Sequence, residues 1–240
     1  MYGWTGRIAV FAVLLLGCSS YIPSQKLPET NAPDQSTAQT APSDVELKKQ
    51  DIEKNWTLTR GAKEFGFELG FAPTQPTFFS GHKEYDTDGR KFMLGSLRFG
   101  RVIGTKKGIT YQYLFEIIPV SFAIDNEVLK RDGKDGRTDT YGFGIQPAGF
   151  RFIFRAHKRL KPYVQTGAGF IFTNKPIPVP ESLTYNFIGD FGGGVMYSFT
   201  RKRTVSFGYR YFHISNMNIG KINPGYNANI FYVGYSLFSK

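Results

Sequence analysis

His213 and Ser215 stand two residues apart in the stretch Gly208-Tyr209-Arg210-Tyr211-Phe212-His213-Ile214-Ser215-Asn216, and those residue types at that spacing suit acyl transfer. Alternate residues of an extended strand share a face, so the imidazole and the hydroxyl would be neighbours. A neutral imidazole can take the serine proton as the oxygen attacks an ester carbonyl, then return it to the leaving alcohol. A third group should orient the other ring nitrogen. Asn227 and Asn229, in the segment that follows, are both in phase to do so, and spacing does not choose between them.

Other chemistry is poorly supplied. His82, His157 and His213 are far apart and give no HExxH spacing, while the lone Cys18 excludes a disulfide framework and a cysteine-based zinc cluster. No metal site and no cofactor is expected. A net charge of +11 raises nucleic acid as a partner. The basic residues, however, are spread over turns, loops and inward positions of a chain that carries an export signal. Anionic, phosphorylated lipid is the more natural partner.

The composition points to strands as the elements that position these groups: 27 Gly stand beside 23 Phe and 14 Tyr, a mixture suited to pleated, aromatic-faced sheets. The apolar stretch 8–16, preceded by Arg7 and followed by small residues, reads as part of a signal peptide over 1–17 and is too short for a membrane-spanning helix. Leu15-Leu16-Gly17-Cys18 resembles the lipobox of bacterial lipoproteins, which makes Cys18 the expected lipid anchor. Residues 18–58 are rich in Ser, Thr, Pro, Gln and Lys without a sustained apolar period, the composition of a disordered tether.

Over 59–240 the hydrophobic alternation returns eight times, at 63–73, 90–102, 109–123, 139–155, 162–173, 184–199, 203–216 and 226–239. Each run meets or exceeds the roughly 9–11 residues that a tilted strand needs to cross a bilayer. In the fourth run Tyr141, Phe143 and Ile145 share one parity and Phe150, Phe152 and Phe154 the other, so a bulge is expected near Pro147-Ala148-Gly149. The faces opposite the aromatics carry charges and glycines, which fit a narrow polar lumen. Connections alternate between short, around 104–108, 157–160 and 200–203, and long, at 74–89, 124–138, 174–183 and 217–225. The fold expected is all-β: an eight-stranded antiparallel transmembrane β-barrel with a disordered N-terminal tether. His213 and Ser215 then face lipid near the external end of the seventh strand, a costly place for polar groups unless they do work.

The segment 208–238, with His213-Ile214-Ser215-Asn216 at its centre, resembles the lipid A 3-O-deacylase family. Its members are eight-stranded outer-membrane barrels with an H-x-S-N motif at the end of one strand and a catalytic acid on the next. The resemblance implies Ser215 as nucleophile and His213 as general base. It also implies that Asn216 helps to form or shape an oxyanion hole with neighbouring backbone N–H groups, with Asn218 in the same substrate-facing turn. The implied activity is hydrolysis of the ester-linked 3-hydroxyacyl chain at position 3 of lipid A, without a cofactor. Lipopolysaccharide is the implied partner and the bacterial outer membrane the implied location.

Two departures stand out. Asn227 occupies the place of the family's Glu, and Met217 and Asn218 replace small residues. An amide oxygen can fix the imidazole tautomer but stabilises imidazolium less than a carboxylate does. Glu116 is expected to point into the lumen towards Arg98, Arg151 or Arg210. Three other functions fit a barrel without using the motif as a hydrolase. The first is a non-catalytic structural or adhesion barrel acting through loops 74–89 and 124–138. The second is an acyltransferase with an internal acyl cavity, and the third a pore, for which eight strands leave too little room.

Overall fold

The protein is described by a computed structural model covering residues 56–73, 90–128 and 136–239. The expected signal peptide, Cys18, most of the tether and the loop 74–89 lie outside the described residues. The strands are β1 (Lys63–Ala72), β2 (Lys91–Lys106), β3 (Ile109–Val128), β4 (Gly136–Phe154), β5 (Leu160–Ile177), β6 (Leu183–Ser198), β7 (Arg203–Ser215) and β8 (Tyr226–Ser239). Each pairs antiparallel with its sequence neighbours, and β1 pairs with β8 to close the barrel.

Period-two alternation accounts for the wall. In β1 the side chains of Phe65, Phe67, Leu69 and Phe71 are exposed, while Glu64, Gly66, Glu68 and Gly70 are buried. In β4 Tyr141 and Phe143 face outward, and so do Phe150 and Phe154 despite their opposite parity. The register slips between Ile145 and Ala148 against β5 and between Leu114 and Glu116 against β3. That slip is the bulge that Pro147-Ala148-Gly149 implied.

Two expectations are corrected. The described residues of 124–138 are strand, and so is half of 174–183: β3 and β4 stay paired through Asn126↔Thr138 to Val128↔Gly136, and β5 and β6 leave residues 178–182 between them. Backbone pairing prolongs these hairpins after the hydrophobic alternation has stopped. The lumen is also not uniformly polar. At the end opposite the short turns it is filled by an apolar cluster including Phe92, Ile118, Ile171, Phe212, Ile214 and Ile230. At the short-turn end a second cluster holds Val102, Ile153, Tyr163, Met196 and Phe238. Leu58 is buried in this second cluster, and the Arg159 guanidinium lies 4.4 Å from the centroid of the Trp56 ring. Ordered packing thus begins inside the segment assigned to the tether.

Between the two clusters lies a belt of charge. Arg98 donates to Glu68 at 2.5 Å and to Glu116 at 3.3 Å, while Arg210 donates to Glu116 at 2.9 Å and to Glu68 at 2.5 Å. Of the three arginines considered for Glu116, Arg98 and Arg210 hold it; Arg151 belongs to Glu64, at 3.0 Å. Gln112 and Ser236 complete Glu64, each at 2.6 Å. Removing one partner of a buried ion pair leaves an uncompensated charge and costs about 3–5 kcal/mol. Arg210→Leu should therefore lower the urea midpoint of the barrel in micelles, followed by circular dichroism, while Lys106→Ala at an exposed position leaves it unchanged.

Candidate active site

The segment 203–215 alternates Val205, Phe207, Tyr209 and Tyr211 against Thr204, Ser206, Gly208 and Arg210, so β7 turns the first set outward. His213 and Ser215 continue the outward set. Register pairs His213 with Asn227 on β8 and with Gly189 on β6. His213 Nδ1 lies 2.6 Å from Asn227 Oδ1. An amide oxygen only accepts, so Nδ1 is the donor in this pair, an arrangement that in the neutral ring leaves the lone pair on Nε2. Asn229 is engaged elsewhere, accepting the Tyr209 hydroxyl at 2.8 Å. Asn227 is thus the asparagine paired with the histidine.

The imidazole has one open flank and one tight one. At Gly189 an added Cβ would find only the Gly167 carbonyl oxygen, at 3.9 Å. At Gly225, where φ is +75°, it would stand 3.1 Å from His213 Cε1. Glycine is required there twice over, by the left-handed backbone and by the ring.

Ser215, half-buried, ends β7. Its Oγ accepts from Asn223 Nδ2 at 2.9 Å and from the Met217 N–H at 3.1 Å. Asn223 Oδ1 lies 3.2 Å from the same oxygen and accepts the Asn216 N–H at 3.1 Å. Among the described residues no hydrogen bond joins His213 to Ser215. The Met217 N–H is aimed by a tight turn. The Ile219 N–H donates to the Asn216 carbonyl at 3.0 Å, and Met217 and Asn218 have φ of 51° and 64°. Both central residues are left-handed, the type I′ form, which at methionine costs on the order of 1–2 kcal/mol.

Neither the Asn216 nor the Asn218 side chain donates to Ser215 Oγ. Asn216 is buried and its amide donates to Ser182 Oγ at 3.2 Å and to the Ile222 carbonyl at 2.7 Å, bracing the loop from within. The Asn218 N–H donates to Asn216 Oδ1 at 3.0 Å, and its side chain is exposed. The N–H donors beside Ser215 Oγ are those of Met217 and Asn223. Asn223 was not singled out from the sequence, because it sits in the loop before Pro224-Gly225, where strand parity says nothing. Among the described residues no group of three or more His, Cys, Asp or Glu could hold a metal.

Residues 109–236, which include β7 and the first residues of β8, match the family model described as lipid A 3-O-deacylase (PagL). The chain belongs to the lipid A 3-O-deacylase family. It is a protein of the bacterial outer membrane, with the apolar wall facing lipid. No curated protein matches the sequence. Among solved structures, the outer membrane enzyme PagL is 13% identical with a TM-score of 0.44, covering 72% of this chain and 97% of its own. Neisserial surface protein A is 15% identical with a TM-score of 0.46, covering 74% and 99%. The attachment invasion locus protein Ail of Yersinia pestis is 8% identical with a TM-score of 0.40, covering 75% and 100%. The family match spans all the residues of the polar cluster described above.

Because a Cβ at position 225 would stand 3.1 Å from the histidine ring, Gly225→Ala should shift the His213 imidazole resonances in NMR spectra and cost about 1–2 kcal/mol from its left-handed backbone. Gly104→Ala, at a position where an added Cβ meets nothing within 4 Å, should do neither.

Proposed function

We propose that the protein is an outer-membrane esterase that hydrolyses the ester-linked 3-hydroxyacyl chain at position 3 of lipid A, using Ser215 and His213. The observation that carries this reading is the 2.6 Å pairing of His213 with Asn227 on the lipid-facing side, two residues from a serine hydroxyl that already faces two N–H donors. Family membership supplies the substrate class.

In this mechanism the Ser215 hydroxyl rotates from Asn223 towards His213 Nε2. As Oγ bonds to the ester carbonyl carbon, its proton passes to Nε2, and Asn227 holds the opposite nitrogen in the donating tautomer. The Met217 N–H and the Asn223 amide, released from Oγ, turn to the developing oxyanion. Collapse expels the sugar alcohol, which takes the proton from His213. Water, deprotonated by the same histidine, then cleaves the acyl-serine and frees the hydroxy fatty acid. Asn227, an amide, fixes orientation without adding a negative charge, so proton acceptance by His213 is weaker than beside a carboxylate. The same reading gives residues 1–17 the role of export signal and Cys18 that of lipid anchor at the start of the tether.

Mass spectrometry of lipid A from cells expressing the chain tests this. Wild type should release one 3-hydroxyacyl chain, and Ser215→Ala and His213→Ala should each release none. Asn227→Asp keeps an oxygen in place and should raise the rate, because a carboxylate beside the ring stabilises the imidazolium formed during attack better than an amide does. Asn227→Ala should lower it. An intact acyl pattern with wild type defeats the reading.

A further inference from the structure

We infer that the outer wall carries a second contact region for the substrate: a groove on β3–β5, joined to Ser215 by a pavement of aromatic rings, that takes another acyl chain of the same phosphorylated glycolipid. The inference rests on the lipid A esterase reading for the identity of the lipid. Its structural basis is separate from the Ser215 and His213 cluster.

The groove comes from a local break in pairing. Ile118 pairs with Gly144 and Ser121 with Gly142, so Pro119 and Val120 together face the single residue Phe143. Two residues against one make a bulge, which bends β3 away from its neighbour. Outside it lies a groove of 360 Å³ whose lining includes Val120, Phe122, Tyr141, Phe143 and Phe172. Its walls are apolar and lipid-facing, and Thr173 and Asn174 stand at its polar rim. Just beyond, exposed Lys175 donates from Nζ to the Asp139 carbonyl at 3.3 Å. The ammonium is thereby held beside the residues that begin the groove on β4. A hydrocarbon chain fits the walls, and a phosphate fits the rim.

The pavement gives the groove its connection to the ester-cleaving residues. Phe143 stacks on Phe172 with ring centroids 5.2 Å apart, and Phe172 meets Tyr185 at 5.0 Å. Tyr185 meets Phe187 at 5.6 Å, and Phe170 contacts both rings. Phe187 is the direct register partner of Ser215. The middle of the groove, on β4, and the serine, on β7, are thus three strand spacings apart, about 14 Å around the wall. The two chains of a phospholipid do not bridge that distance, whereas a glycolipid carrying several chains does. One chain presents its ester to Ser215, a neighbour crosses the rings into the groove, and Lys175 meets a headgroup phosphate.

The test uses full-length protein in micelles with three substrates or ligands: bisphosphorylated multi-acyl lipid A, a short monoacyl ester, and phosphatidylglycerol. Val120→Trp fills the groove and Lys175→Ala removes its cation. Neither touches the Ser215 and His213 cluster. Val120→Trp should raise KM for lipid A about tenfold, the loss of roughly two buried methylenes. Lys175→Ala should raise it about fivefold. Hydrolysis of the short ester should keep its kcat and KM in both. If wild type cleaves lipid A and both variants keep its KM, the groove inference is overturned while the esterase reading stands. If wild type cleaves neither ester, native mass spectrometry of retained lipid decides. Weaker lipid A retention in both variants, with phosphatidylglycerol unaffected, upholds the groove. Unchanged retention, or equal loss of both lipids, overturns it.

Discussion

Closure of the sheet leaves this chain with two sides and no edge, so the parity of each residue decides whether it meets lipid or lumen. The charged belt inside the barrel enforces that choice. Arg210 reaches Glu68 on β1 and Glu116 on β3, contacts that only one inward position on β7 can make. A slip of one residue would turn Arg210 into lipid and His213 into the lumen. The ion pairs therefore fix the register that sets His213 against Asn227, although none of their atoms touches either residue. Buried pairs of this kind add little net stability compared with apolar packing, and here they act on register, which fits the best-attested use of such pairs.

Much of this was legible in the sequence because period two is a strong constraint when both faces are committed. The eight strands, the outward set on β7 and the bulge near Pro147 all follow from alternation and the parity change in the fourth run, whereas the parity change at Pro119-Val120 on β3 was not read. Glu116 pointing inward followed as well. What alternation does not encode is anything that leaves the strands. The Asn223 contact to Ser215 and the inward turn of Asn216 depend on a loop whose shape comes from a type I′ turn, and Met217 is an unfavourable residue for one. The apolar clusters at the two ends of the lumen were missed for another reason. Inward positions such as Phe92, Phe212 and Ile214 were grouped by parity with the charged ones, while their depth along the barrel, which separates them, is a property of register.

An amide at position 227 has a physical logic in this setting. Asn227 is 7% exposed, on the side of the barrel that faces lipid. A carboxylate there would be partly desolvated, a cost that an amide does not carry. An amide fills the same space, accepts the same bond and carries no charge to bury. The histidine keeps its tautomer and loses only the electrostatic support that a charged neighbour gives its protonated form. Orientation and charge stabilisation, usually supplied together, are separated at this position.

The column of residue pairs shared by β7 and β8 marks where the barrel departs from its own rule. Near the short turns the outward pairs are apolar, as in Phe207↔Val233, with Tyr209↔Phe231 next along the wall. Towards the other end they become Tyr211↔Asn229 and His213↔Asn227. Polar groups against lipid are costly unless satisfied, and these are satisfied by one another: Tyr209 by Asn229, His213 by Asn227, Ser215 by Asn223. A wall serving only as an anchor gains nothing from that substitution, since aliphatic pairs would pack as well without the need for matched donors and acceptors. The exchange of packing for hydrogen bonds occurs where β7 ends in a left-handed turn. Local sequence preference and the demands of the membrane disagree there, as they do where a fold has been adapted to carry out chemistry.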